Sequence, residues 1–442
     1  MTLSKFEGYS YAALYILGIA ILGYFLPRTA TVPLFLVYGS CFLLYWRLYQ
    51  LSLKGADWKF LIFLAILLRL ILLPSVPAWS EDYARFLWDG HLVVQGLNPY
   101  MQTPEEIMAT FEPELGTVDL YQVMNSPQYH SVYPPFNQLI FALAAAISKG
   151  DLLLGVIVLR VILICFELLA FYLIYLLLCH YRQPIEKLLI YALNPLVIME
   201  IAGNLHFEGM LLCLLLAAVY FLVCKRYAAS GAALAAATAI KLSPLMLFPA
   251  ILHHVYKKAF WQFAVAAAVV LLCFLAPLAY AGPGYFTSLS LYSDIFEFNA
   301  SIYYLLREIG FWTVGYNTIA IWGPALKVLA LVLILIASLW KFKSRGVMLP
   351  ERLIVIYWIY FLLNTVVHPW YIIPALGISL FTKRQGFTLW SFTIVLSYHA
   401  YGQYPYTESG WHPWLEYGVV AWALWKDYIE GRQATNTHQA LP

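Results

Sequence analysis

The chain has 442 residues, of which 62% are hydrophobic and 17% aromatic, and only 11% are charged. A mean hydropathy of +0.74 excludes an ordinary soluble globule and points to a polytopic membrane protein. The net charge is only +3 and no basic face or stacking module stands out, which argues against nucleic acid.

Taken in order, the apolar runs read as spans at Tyr9–Leu26, Thr31–Trp46, Phe60–Leu73, Leu152–Cys179, Ile185–Ile201 and Phe207–Val223. Further spans follow at Ala228–Ile240 with Ser243–Leu252, Ala259–Tyr280, Thr318–Trp340, Leu353–Val367, Tyr371–Phe381, Thr388–Tyr401 and Trp411–Trp425. The first run has no strongly basic leader or small-residue cleavage site, so it reads as a retained anchor. Phe136–Ser148 is too short for a full span, since thirteen helical residues cover only about 20 Å. It is expected to be a partial or re-entrant helix. Breaks at Asn194-Pro195, Ser243-Pro244, Pro249 and Pro374 suggest helices interrupted around an enclosed cavity.

Lysine and arginine placement orients the spans. Arg47, Lys54, Lys59, Arg182, Lys187, Lys225, Arg226, Lys257, Lys258, Lys341, Lys343, Arg345, Arg352, Lys383, Arg384, Lys426 and Arg432 mark the cytoplasmic side. Both termini fall there. The other side receives loop 74–135, the Asn204–Glu208 turn, loop 282–316, the His368–Tyr371 turn and Tyr401–Pro413. The first of these loops sets eight acids (Glu81, Asp82, Asp89, Glu105, Glu106, Glu112, Glu114, Asp119) against Arg85 alone. The expected fold is an all-α transmembrane bundle of about 12–14 segments, one membrane-embedded domain over residues 1–442. Its long first outer loop would carry interfacial helices.

All six cysteines sit in or beside apolar segments without a Cys-x-x-Cys pair, which reads as packing rather than redox or metal chemistry. The densest chemistry is Ser80-Glu81-Asp82-Tyr83-Ala84-Arg85-Phe86-Leu87-Trp88-Asp89-Gly90. On a helix over about Ser80–Val94, Asp82, Arg85 and Asp89 fall on one face. A carboxylate here can take a proton from an attacking hydroxyl, with Arg85 holding it ionised. An ordinary interfacial helix laced with weak ion pairs is the alternative. Lys241, inside an apolar helix beside a break, is costly without a partner or polar cavity, at roughly 2.5–3.5 kcal/mol on insertion scales.

This first-loop pattern, with Gly96-Leu97-Asn98-Pro99-Tyr100 and Tyr133-Pro134-Pro135, resembles the GT-C glycosyltransferases. It is most similar to the bacterial polyprenol-phosphate-mannose-dependent enzymes and the related GPI mannosyltransferases. Asn194-Pro195-Leu196, Glu200, Gly203-Asn204-Leu205-His206-Phe207-Glu208, Lys241-Leu242-Ser243-Pro244 and His368-Pro369-Trp370-Tyr371 resemble their later turns. The resemblance implies hexose transfer, of mannose by likeness, from a polyprenyl-phosphate sugar to a lipid or glycan hydroxyl. The anomeric centre would invert, on the extracytoplasmic face of a bacterial cytoplasmic membrane. It puts the general base at Asp82, with Glu81 beside it, Asp89 as second candidate and Arg85 shaping the site. Departing phosphate charge assigns His206, Lys241, His368 and Arg307 to the donor. Asn98, Tyr100, Tyr133 and Glu208 are expected beside substrate. No cofactor is expected: two acids, Asp82 and Asp89, are too few to hold a divalent cation. A lipid-glycan polymerase and a flippase or secondary transporter stay open as other readings.

Overall fold

The computed structural model describes residues 3–110, 117–294, 296–340, 348–402 and 410–439. Glu112, Glu114, Lys341, Lys343 and Arg345 lie outside the described residues, as do the side chains of Lys257, Lys258 and Arg432. Among the described residues the regular structure is helical and no strand occurs beyond one isolated bridge, Phe298 to Val366.

Helices α1 (Leu3–Tyr24), α2 (Thr31–Leu53) and α3 (Trp58–Ile71) open the chain, and the side chain of Asp57 caps α3 through the Lys59 amide at 3.0 Å. The first long loop holds α4 (Asp82–Val94), α5 (Pro104–Thr110) and α6 (Thr117–Val123). Glu106, one of the first-loop acids, closes a reciprocal cap with Thr103 at the start of α5. Next come α7 (Pro135–Ser148) and the 29-residue α8 (Leu152–His180), capped by Asp151.

The segment expected as span Ile185–Ile201 is broken. It contains α9 (Leu188–Ala192), α10 (Pro195–Val197) capped by Asn194, and a π-helical turn over Ile198–Gly203. Pro195 has no amide proton to continue the earlier helix, so the chain restarts there. The piece Pro195–Gly203 meets α11 (Glu208–Val223) at 111°. The remainder is α12 (Tyr227–Ile240), α13 (Phe248–Leu275), α14 (Gly282–Asp294), α15 (Ile302–Val314), α16 (Ile319–Leu339), α17 (Leu349–Leu363), α18 (Ile373–Ser379), α19 (Gly386–Thr393) and α20 (His412–Gln439).

Among the described residues four helices are long and apolar enough to cross a membrane: Thr31–Leu53, Leu152–His180, Ala259–Tyr280 (the part of α13 from its kink at Ala259, with the turn that follows) and Ile319–Leu339, with the bent 195–223 pair as a fifth. The other segments are shorter, broken or, like α1, less apolar, and most of them pack into one large core, with two small clusters beside it around Tyr303 and Tyr285. The protein is an all-α polytopic membrane protein. One helix, α7, packs against α4 and α8 and is only 14 residues long.

Within this core, Arg69 of α3 and Glu167 of α8 form a bidentate ion pair, with both side chains fully buried. The spare Arg69 donors reach the Ala65 and Ala192 carbonyls at 2.8 Å. Such a pair persists in an apolar interior because every charged donor and acceptor is matched.

Candidate active site

Helix α4 is more enclosed than its amphipathic pattern suggests: Tyr83 through Gly90 are all buried. The cause is Gly90. A β-carbon there would lie 2.2 Å from the backbone oxygen of Phe141, so only glycine lets α4 and α7 approach this closely. The contact stacks Phe86 on Phe141 with centroids 4.6 Å apart. It also brings Gln138 to within 2.9 Å of Asp89.

Asp89 is fully buried and committed. It accepts from Arg85 at 2.8 Å, from Gln138 and from the Ser131 hydroxyl. Arg85 also donates to the Tyr129 carbonyl at 3.0 Å. Arg85 is thus matched to Asp89 rather than Asp82, and the two fasten segment 129–138 to α4. Glu81 is held by Arg28, at 2.5 Å. Arg28 lies over the Tyr401 ring, 3.9 Å from its centroid, and donates to the Trp79 carbonyl.

Asp82, the first residue of α4, has no lysine or arginine partner among the described residues. Its Oδ1 is 3.4 Å from the Asn125 amide, and its side chain is 23% exposed. Its Oδ2 lies 3.9 Å from Nε2 of His206.

His206 reaches this position through an unusual backbone. The π-helical turn ends in Asn204, and Leu205 adopts φ 65°, a conformation costly for a residue with a side chain. Arg160 of α8 secures the turn by donating to the carbonyls of Ala202 and Gly203, and to Leu73 where the first loop begins. The His206 ring lies flat on Trp370 at 3.7 Å, and Trp370 stacks in turn on His368 at 4.5 Å. Nδ1 of His206 is 2.9 Å from Glu200, whose other oxygen accepts from Tyr398 at 2.7 Å. His368 is enclosed beside these rings. Burial, with the neighbouring Lys241, His206 and Arg28, pushes its imidazole well below the ordinary histidine value.

A second cluster shares the same turn. Lys241 ends α12, 2.5 Å from Glu208 at the start of α11, with its ammonium 3.4 Å above the Tyr371 ring. The pair borders a small cavity lined also by Leu211, Tyr357, Tyr360 and Phe361. Lys241 caps α12 rather than lying inside it, is only a third exposed, and has Glu208 and the ring to offset its partial burial.

The remaining sequence candidates are tied into the outer loops. Asn98 donates to the Tyr280 carbonyl at 2.9 Å, and the Tyr100 hydroxyl donates to the Tyr133 carbonyl at 2.7 Å. The Tyr133 ring packs edge-on against Phe86. Arg307 is matched to Glu297 and Glu308 and lies over Tyr304. Among the described residues no three His, Cys, Asp or Glu side chains converge as a metal site. Asp82 and Asp89 belong to separate networks.

Four residues of the cluster were not singled out as site residues by the sequence reading: Arg28, Glu200, Trp370 and Tyr398. Arg28 carries a signal, as a lone arginine after Pro27 at the outer end of the first span. Glu200 carries another, as an acid inside an apolar run.

Residues 14–257, more than half of the chain, match the family model described as MptA_B family, alpha-(1->6)-mannopyranosyltransferase, N-terminal domain. No curated protein matches the chain.

Proposed function

The chain belongs to the MptA_B family of alpha-(1->6)-mannopyranosyltransferases, and we propose that it moves a mannosyl residue from a polyprenyl phosphate to an acceptor hydroxyl. A mannosyltransferase of this GT-C type set among membrane helices has its reactants in the bilayer or at its edge. Family membership favours mannosyl transfer over the transporter and polymerase readings.

The observation that carries the proposal is the state of the acids. Glu81, Asp89 and Glu208 each have a lysine or arginine within 2.8 Å, whereas Asp82 has none among the described residues and is partly exposed. It is therefore the carboxylate best able to accept a new proton. In the proposed reaction Asp82 takes the hydroxyl proton and the acceptor oxygen attacks the anomeric carbon. The bond from that carbon to the phosphate oxygen breaks, its electron pair leaving with the polyprenyl phosphate. One displacement inverts the centre, so an α-linked product requires a β-linked donor. Lys241 supplies positive charge for the departing phosphate. No metal is needed in this scheme. Lysine and arginine distribution assigns the reaction to the extracytoplasmic face, with both termini cytoplasmic.

The test is transfer from radiolabelled polyprenyl-phosphate mannose by purified protein in detergent, with a lipid extract as acceptor. Wild type should label a product, and Asp82→Asn should lower turnover by about 10²–10⁴ while melting unchanged. Near-normal turnover by Asp82→Asn would remove the base assignment. Transfer from a sugar nucleotide but not from the lipid phosphate would remove the donor assignment.

A further inference from the structure

We infer that Glu200 and His206 form a proton relay behind Asp82: Nε2 of His206 receives the proton that Asp82 takes from the acceptor, and Glu200 is the positioning residue that holds the imidazole to the task. This rests on the reading of Asp82 as base and moves His206 from the phosphate side, where the sequence placed it, to the acceptor side.

Three features point the same way. First, His206 is almost fully buried, yet its Nε2 makes no hydrogen bond and faces the Asp82 carboxylate at 3.9 Å. A buried ring nitrogen without a partner gives up its hydration for nothing in return, so an orphan aimed at a candidate base calls for an explanation. Second, the other nitrogen is fixed. Glu200, itself fully buried, accepts at 2.9 Å from Nδ1, which leaves the lone pair on Nε2. The Asn204 amide and the Tyr398 hydroxyl complete the Glu200 carboxylate. Third, the ring cannot swing away, because it is stacked on Trp370 and its backbone is held by the π-helical turn, the left-handed Leu205 and the two bonds from Arg160 to the Ala202 and Gly203 carbonyls.

A lone pair facing a carboxylate has no proton to share, so the two make no hydrogen bond in the resting state. Once Asp82 has taken the hydroxyl proton, its O–H becomes a donor and Nε2 its acceptor. The proton passes to the imidazole, the Asp82 carboxylate is restored, and the imidazolium is held by Glu200 on its far side. The proton then leaves to solvent with the product. No further reactant is required. The ionisable groups around His206 are Asp82 from α4, Glu200, Tyr398 on the far side of Glu200, and His368 across Trp370.

The experiment measures kcat and KM with polyprenyl-phosphate mannose for His206→Gln, His206→Ala, Glu200→Gln and Asp82→Asn, each checked by its melting curve. The relay predicts about a 10²-fold lower kcat for His206→Gln and Glu200→Gln with donor KM nearly unchanged. It also predicts that added imidazole restores turnover to His206→Ala but not to Asp82→Asn. A raised donor KM with kcat retained would return His206 to the phosphate side and overturn the relay. So would wild-type turnover in both conservative variants beside an inactive Asp82→Asn, with the base assignment left standing. An active Asp82→Asn would instead remove the base itself. If His206→Ala does not fold, the two conservative variants decide the matter alone.

Discussion

Gly90 offers the sharpest test of how the loop motif builds the site. Replacing it with alanine puts a β-carbon 2.2 Å from the Phe141 carbonyl oxygen and 2.5 Å from its carbon. Ordinary contact begins near 3.4 Å, so α4 and α7 must part by about 1 Å. Both obstructing atoms are backbone, and no rotamer change relieves them. Forced overpacking of this kind costs about 1–3 kcal/mol. Weakening the Phe86–Phe141 stack adds up to ~1 kcal/mol. The buried Asp89 network is strained as well, because Gln138 is carried on the helix that moves. Asp82 lies eight residues before Gly90 on the same helix, about 12 Å along its axis. A displacement of ~1 Å there is enough to cost roughly 10² in turnover. We expect Gly90→Ala to melt well below wild type in detergent and to lose about two orders of magnitude in kcat. Gly418→Ala is the control, since a β-carbon on α20 at that point meets nothing within 4 Å. It should be neutral or gain up to ~1 kcal/mol from helix propensity. Wild-type melting and turnover in Gly90→Ala would refute the close-packing account of the Trp-Asp-Gly motif.

Breaking the buried pair by Glu167→Leu leaves the Arg69 guanidinium without its carboxylate and should cost about 3–5 kcal/mol. The double variant Arg69→Met with Glu167→Leu should recover much of that loss in a thermal double-mutant cycle, and additive losses would show that the pair is not coupled. His368 gives a pH test. Its folded-state value is depressed, so below the ordinary value of about 6.5 the unfolded chain binds a proton that the folded protein does not. Its contribution is fully present above about pH 6.5 and is lost as pH falls, at up to ~1.4 kcal/mol per unit. Melting curves between about pH 5 and 7 should show a smaller slope for His368→Phe than for wild type, and equal slopes would count against burial as the cause.

Much of the architecture was legible from local pattern. Helix α4 begins at Asp82 and ends at Val94, close to the expected Ser80–Val94, and Ala259–Tyr280 reappears with its expected limits. Apolar run length, caps such as Asp151 and breaks such as Asn194-Pro195 act over a few residues, so the sequence displays them directly. The shortfall in long spanning helices was harder to foresee, because hydropathy alone does not distinguish a straight span from a broken one enclosed by neighbours.

Pairing of the charges was decided only by the tertiary structure. From the sequence, Arg85 is as well spaced for Glu81 or Asp82 as for Asp89. It goes to Asp89 because Gly90 draws α7 in and buries that acid, which leaves Glu81 to an arginine 53 residues earlier. Lys241 finds Glu208 across 33 residues, and His206 turns to Asp82 because a π-helical turn and a left-handed leucine aim it there. Composition and periodicity fix which residues must leave water, since that depends on each side chain and its immediate neighbours. Which carboxylate stays without a cation, and so remains free to take a proton, depends on distances between segments that only the packed bundle sets.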